Sequence, residues 1–256
     1  MAGISRRTFM TLATVFVVTA CEDARRAISS IPGIGDDGRL GARPGDDPPS
    51  RVRAGTEPLG VASEGDALLA IPQTARGGTP VPLIVSLHGA GGGGEGLGRF
   101  RVAVDRGCAL LVPHSRGPTW DLVFGGFGED VEVIDRALAA TFRRVVVDRD
   151  RIALAGFSDG ASYALSLGVT NGDLFRSVIA CSPGFFEPAE LRGRPRVFVS
   201  HGSDDRVLPI DETSEEIVPE LVDLGYDVRF VTFPGRHEVP TEIVDRAVGW
   251  FLRSSR

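Results

Sequence analysis

The chain has 256 residues, 42% of them hydrophobic and 24% charged, and a formal net charge of −6. That length suits one sizeable α/β core plus a tail, and is too short for two large domains. An acidic balance with no basic face visible along the chain excludes nucleic acid as a partner, because phosphate neutralisation requires one.

Residues 1–20 place Arg6 and Arg7 ahead of an apolar stretch from Thr8 to Ala20, with no acidic residue before Glu22. This is a signal-peptide pattern, and the apolar stretch is too short to span a bilayer. Ser5-Arg6-Arg7-Thr8-Phe9-Met10 resembles the twin-arginine export motif, and Val18-Thr19-Ala20-Cys21 resembles the lipobox of bacterial lipoproteins. The two resemblances imply an exported, extracytoplasmic protein lipidated at Cys21 and held to a bacterial membrane by that anchor alone. Residues 21–60 are rich in Gly, Pro, Asp and Arg without hydrophobic periodicity, so they are expected to form a flexible linker, with the folded domain over 61–256.

From about residue 60, short aliphatic runs alternate with helical patterns, which predicts a mostly parallel sheet flanked by helices. Strands are expected at Ala67–Ile71, Val81–Leu87, Ala109–Pro113, Arg151–Ala155, Ser177–Cys181, Arg196–Ser200 and Val228–Phe233. Cys108 and Cys181 fall in such segments and are expected as buried thiols. Helices are expected over Asp130–Val147, just after Ser158, within Thr213–Leu224 and over Pro240–Leu252. Thr213 and Glu216 have capping-box spacing, Gly225 suits a helix stop, and Pro219 interrupts the pattern between them.

Gly156-Phe157-Ser158-Asp159-Gly160 is a G-x-S-x-G run, weak by itself in a chain with 33 glycines. Its context carries the weight. A strand pattern precedes it and a helical one follows, so Ser158 falls on a sharp strand-to-helix turn that needs small residues at 156 and 160. Such a serine needs a base, and the chain has four histidines, His88, His114, His201 and His237. In the chain order serine, acid, histidine, the first two are excluded. His201 would need its acid between 158 and 201, where no carboxylate after Asp159 lies in a strand-end motif, whereas His237 follows the last predicted strand. The acid is expected in the run after the strand at 196–200, at Asp204 or Asp205. An oxyanion hole would draw on the N–H of Asp159 and on the glycine-rich loop from His88 to Gly94.

These segments together resemble the α/β-hydrolase superfamily over about residues 62–254, most of all its phospholipase/carboxylesterase and polyhydroxybutyrate-depolymerase-like esterase branches. The pattern H-G-x-x-D-x-x-V/I-P of those branches, laid on His201 to Pro209, selects Asp205, with Leu208 in the Val/Ile slot. Their G-x-H matches Gly235-Arg236-His237, and their first oxyanion donor falls on Ala90. The resemblance implies an α/β-hydrolase fold without a large cap, and a Ser158–His237–Asp205 triad cleaving carboxylic esters through an acyl-enzyme. Alternatives are a peptidase or thioesterase on the same triad and a catalytically inactive surface-binding lipoprotein. Asp159 departs from the neutral residue found in many relatives, and its charge is expected to disfavour anionic substrates.

Only residues 182–195 separate two predicted strands where a cap is commonly inserted, so an open site suited to small esters or polymer ends is expected. Trp120, Phe124, Phe185 and Phe186 are candidate pocket walls. No cofactor is expected, nor a metal, since no His/Cys/Asp cluster has ligand spacing. The chain is expected to act as a monomer.

Overall fold

The computed structural model describes residues 37–45, 49, 52–62, 66–92 and 99–253. Cys21, the export signal and the start of the linker lie outside the described residues.

Eight strands form one sheet: β1 Gly55–Pro58, β2 Leu68–Ile71, β3 Val81–Leu87, β4 Ala109–Val112, β5 Val147–Phe157, β6 Ser177–Cys181, β7 Arg196–Gly202 and β8 Val228–Phe233. Their spatial order is β1-β2-β4-β3-β5-β6-β7-β8. The pairs from β4 through β8 are parallel, while β1–β2 and β2–β4 are antiparallel. Among the described residues five α-helices pack around it: α1 Arg101–Asp105, α2 Glu129–Phe142, α3 Asp159–Thr170, α4 Ser214–Asp223 and α5 Thr241–Leu252.

The strands are apolar at consecutive positions because both faces of the sheet are covered. Leu83, Val85, Leu154, Val178 and Val199 pack on one side, with α2 and α3. Ile84, Ala153, Ala155, Ile179 and Phe198 pack on the other, with α5 and Ala103 of α1. The thiols of Cys108 and Cys181 are free and buried, and burial pushes them up to about 12 and about 11. Parallel strands bring their carboxyl ends to one edge of the sheet, where crevices open between successive crossovers. The ends of β3, β5, β7 and β8 supply the site described below.

Several boundaries differ from the sequence reading for local reasons. The helix expected to run to Val147 stops at Phe142, because Val147 opens β5 and pairs with Val81. Pro240 stands at the N-cap of α5 instead of inside its first turn. The capping box at Thr213 does not form, since the Thr213 hydroxyl donates back to the Pro209 carbonyl at 2.8 Å. Gly225 does end α4, in a left-handed conformation with φ +83°, and Pro219 is accommodated within that helix.

The linker expected over 21–60 is described at 37–45, 49 and 52–60. Its described part is docked on the domain. β1 extends the sheet by pairing Thr56 with Ala70 and Glu57 with Leu69, and its Pro58 is admissible because the strand is at the edge. Leu40 and Leu59 are buried in the core. Asn171, fully buried at the end of α3, accepts from the Leu40 N–H at 3.0 Å and donates to the Gly38 carbonyl at 2.8 Å. Arg39 and Arg43 reach Asp173 at 3.2 and 2.6 Å. Burial works against ionisation of Asp173, but these two guanidinium bonds outweigh it and hold the carboxyl at about 2. Polar contacts with residues some 130 positions away, rather than any hydrophobic period, fix this segment.

Replacing Asn171 by Ala would leave the Leu40 N–H and the Gly38 carbonyl without their buried partner, at a cost of about 1–3 kcal/mol. The expected result is a melting temperature lower by several degrees and earlier tryptic cleavage after Arg39. Thermal unfolding and timed proteolysis read both.

Candidate active site

Ser158 sits between β5 and α3 with φ +56° and ψ −123°, a backbone conformation costing of order 1–3 kcal/mol outside glycine. Its surroundings hold it there. The Ser158 N–H donates to the Cys181 carbonyl at the end of β6, at 2.9 Å. A Cβ on Gly156 would lie 2.0 Å from the Gly160 carbonyl oxygen, and one on Gly160 would lie 2.3 Å from the His88 carbonyl oxygen. Both glycines are therefore obligatory, and the elbow packs directly against the loop after β3.

The Ser158 Oγ lies 2.9 Å from His237 Nε2, and His237 Nδ1 lies 2.7 Å from Asp205 Oδ2. These are the three side chains singled out in the sequence. With Nδ1 donating to the carboxylate, Nε2 is left as the acceptor facing the serine hydroxyl. The loop that carries His237 touches the end of β7 so closely that a Cβ on Gly202 would meet the Arg236 carbonyl at 2.4 Å. Asp205 has a fully buried side chain whose other oxygen accepts from the N–H groups of Val207 and Leu208 at 2.9 and 3.0 Å. Burial opposes its ionisation, but the Leu208 amide, His237 and the Val207 amide together keep its pKa below the ordinary carboxylate value. Asp204, the alternative left open by the residues alone, is exposed.

His201, rejected as the base, has another part. It is fully buried, with Nε2 2.8 Å from the Leu208 carbonyl and 3.2 Å from Asp205 Oδ2, and Nδ1 2.7 Å from the Ser214 hydroxyl. Burial lowers its pKa against the pull of the Leu208 carbonyl and Asp205. A neutral ring carrying its proton on Nε2 satisfies all three contacts and braces the acid from beneath.

Ala90 borders the same cleft as Ser158 and Asp159 follows Ser158 in the chain, and neither N–H has an acceptor among the described residues. A segment not recognised in the sequence joins these two halves. The Ser115 N–H donates to His88 Nε2 at 3.1 Å, the Gly91 N–H to the Pro118 carbonyl at 2.8 Å, and the Trp120 indole to the His88 carbonyl at 2.8 Å. On the other half, the Thr119 hydroxyl donates to Asp159 Oδ2 at 2.7 Å. The segment is itself clamped by a reciprocal pair: Asp130 accepts from the Arg116 and Asp121 amides at 2.6 and 2.8 Å, while Asp121 accepts from the Asp130 amide at 2.9 Å and the Tyr163 hydroxyl at 3.0 Å.

A cleft of about 220 Å³ opens at Ser158 and His237, walled by Gly89, Ala90, Gly92, Arg99, Phe157 and Val207. None of the aromatics expected as its walls lines it. Trp120 is fully buried because its indole N–H finds a carbonyl inside, Phe185 and Phe186 are half-buried against the core, and Phe124 is 52% exposed away from the cleft. The aromatic wall is Phe157, inside the elbow motif. Its ring lies 4.8 Å from the His237 ring and beneath the Arg99 guanidinium at 4.3 Å.

A family model described as phospholipase/carboxylesterase matches residues 123–253, about half of the chain. Acyl-protein thioesterase 1 of Gibberella zeae is 30% identical over 116 residues, covering 41% of this chain and 48% of that protein. The Neurospora crassa protein of the same name is 30% identical over 100 residues, with 35% and 40% covered. The chain thus spans about half the length of the curated relatives it matches, or less. Among solved structures, esterase PE8 superposes with a TM-score of 0.60 at 26% identity, over 72% of this chain and 96% of that one. An S-formylglutathione hydrolase of Staphylococcus aureus superposes at 0.64 with 16% identity, over 80% and 99%, which speaks for the fold alone.

Burial pushes the Asp130 carboxyl up to about 6, against the Arg116 amide bond and with the help of the Asp121 charge. A carboxyl whose pKa is raised on folding binds its proton more tightly in the native state, so stability falls as pH rises from about 4 to about 6. Asp130→Asn is expected to flatten that slope, which denaturant titrations across the same window would reveal.

Proposed function

The chain belongs to the phospholipase/carboxylesterase family, and from that premise we propose that it is a serine esterase cleaving carboxylic esters through Ser158, His237 and Asp205. One observation carries the reading: the unbroken hydrogen-bond line from Asp205 through His237 to the Ser158 hydroxyl, which opens on a cleft bordered by Ala90.

In this reading His237 Nε2 takes the Ser158 proton as Oγ adds to the ester carbonyl, and Asp205 stabilises the imidazolium that forms. The Ala90 and Asp159 amides hold the oxyanion, at the positive end of α3. The acyl C–O bond then breaks, the alcohol leaves with the proton from His237, and a water activated by the same imidazole hydrolyses the acyl-enzyme. Each oxyanion donor is worth roughly 10²–10³ in turnover. A cleft of about 220 Å³ suits a short acyl group. Similarity to two acyl-protein thioesterases favours a second reading, thioester hydrolysis by the same steps, since only the leaving atom changes.

Ser158→Ala is expected to lower kcat on a short-chain nitrophenyl ester by about five orders of magnitude and to abolish fluorophosphonate labelling; Asp205→Asn is expected to lower kcat about 10³–10⁴-fold. Near-wild-type turnover by Ser158→Ala would end the reading, and a folded wild-type protein that does not label would favour a surface-binding role. Thr119 is a positioning residue through Asp159. Thr119→Val should reduce kcat about tenfold with KM changed less than about twofold, because a small displacement of the Asp159 amide weakens only the interaction with the oxyanion.

A further inference from the structure

The line of buried polar groups does not end at Asp205. His201, in β7, has a fully buried side chain whose two ring nitrogens are both engaged. Nε2 lies 2.8 Å from the Leu208 carbonyl oxygen and 3.2 Å from Asp205 Oδ2. A carbonyl and an ionised carboxylate only accept, so Nε2 carries a proton and shares it between them. In an uncharged ring Nδ1 is then an acceptor, and the donor that meets it is the hydroxyl of Ser214, the first residue of α4, at 2.7 Å. Ser214 is itself fully buried, and His201 is the partner of its hydroxyl. Burial also lowers the His201 pKa, against the Leu208 carbonyl and Asp205, which keeps the ring uncharged where an imidazole acts as a base.

The consequence for Asp205 follows from its acceptor sites, of which an ionised carboxylate has about four. Oδ1 takes the Val207 and Leu208 amides, and Oδ2 takes His237 Nδ1 at 2.7 Å beside the shared N–H of His201. The direction in which the carboxylate faces His237 is therefore fixed, because a rotation would break the bonds to both amides. Leu208 is held at both ends, its amide on Asp205 and its carbonyl on His201. The turn that carries the acid is thus tied to β7 through His201 and to α4 through Ser214.

The charge state of His201 matters as much as its place. A cationic ring would offset the Asp205 carboxylate at the moment when His237 becomes an imidazolium that needs it. A neutral ring orients the carboxylate and leaves its charge for His237.

Resting on the esterase reading, we propose that Ser214 and His201 are positioning residues for the reaction: the Ser214 hydroxyl fixes His201 as the neutral Nε2–H tautomer, and that N–H fixes the Asp205 carboxylate in the orientation that serves His237. Neither residue touches the reacting atoms, and both act through Asp205.

The test uses the full chain. In wild-type protein with isotope-labelled histidine, long-range proton–nitrogen NMR correlations report the tautomer of each ring, and the signals lost in His201→Gln assign those of His201. From about pH 6.5 to about pH 8 the expected result is a neutral His201 protonated on Nε2. A proton on Nδ1, or a charged ring, overturns the inference. Turnover of nitrophenyl acetate is the second readout. His201→Phe keeps a ring of similar size without the N–H and is expected to lower kcat about tenfold with KM changed less than about twofold, because a misdirected base weakens the transition state and not binding. His201→Gln, whose amide returns an N–H donor near the position of Nε2, should recover most of that loss, and Ser214→Ala should lower kcat about threefold. The losses of His201→Phe and Ser214→Ala should not multiply in the double variant, since both remove the same path to Asp205. If His201 only packs, kcat per folded protein stays at the wild-type value in all of these variants, and the inference is overturned; losses that multiply, or no recovery in His201→Gln, overturn it as well. Should His201→Phe not fold, Ser214→Ala and the wild-type spectrum decide. Each of these outcomes leaves the esterase reading intact. A folded wild-type protein that neither hydrolyses nitrophenyl acetate nor takes up a fluorophosphonate overturns the esterase reading, and the inference with it.

Discussion

Gly160 has no side chain, and the carbonyl oxygen of His88 lies 2.3 Å from where its Cβ would be. The rest of the site depends on that approach. It lets the first turn of α3 press against the loop after β3, whose Gly89, Ala90 and Gly92 border the cleft at Ser158. The turn closes only because Gly156 is equally bare, and it leaves Ser158 at a φ of +56° that an isolated chain would avoid. The strain is held by long-range bonds, among them the Ser158 amide on the end of β6.

The His88 carbonyl is itself held, because it also accepts the Trp120 indole. Residues 115–121 thus fasten the loop after β3 from one side and Asp159 from the other, so Ala90 and Asp159, some 70 positions apart in sequence, share one support. Asp205 is supported in the same manner: it is stripped of water but given the Leu208 amide, His237 and the Val207 amide, which together outweigh the cost of burying its charge, while His201 packs against its Oδ2. Three of the four histidines therefore have distinct parts set by their surroundings. His237 is partly exposed and links Asp205 to Ser158, His201 braces Asp205, and His88, with a pKa lowered by burial, holds the loop after β3.

The charges around the cleft follow from where side chains point and not from which residues are adjacent in sequence. Asp159 neighbours Ser158 yet directs its carboxylate to Thr119, while Arg99, almost sixty positions away, lies over Phe157, whose ring faces His237. In a chain without lysine, every such cation is a guanidinium, whose planar face can stack on a ring.

The sequence by itself determined the strands, because burial on both faces of a parallel sheet demands uninterrupted apolar runs, and it determined Ser158, because only a strand, two glycines and a helix in immediate succession allow that turn. His237 was legible from chain order, whereas separating Asp205 from Asp204 required a resemblance, since two adjacent carboxylates have the same chemistry until one is buried. Tertiary structure alone decided the remainder. The docking of residues 37–45 and 52–60, the brace at 115–121 and the support from His201 are built of single hydrogen bonds between distant residues, which leave no period or motif. The walls of the cleft were illegible for the opposite reason: an aromatic residue in sequence signals burial of area, and whether that area faces a core or a substrate is set by packing, which placed Trp120 inside and Phe157 at the base.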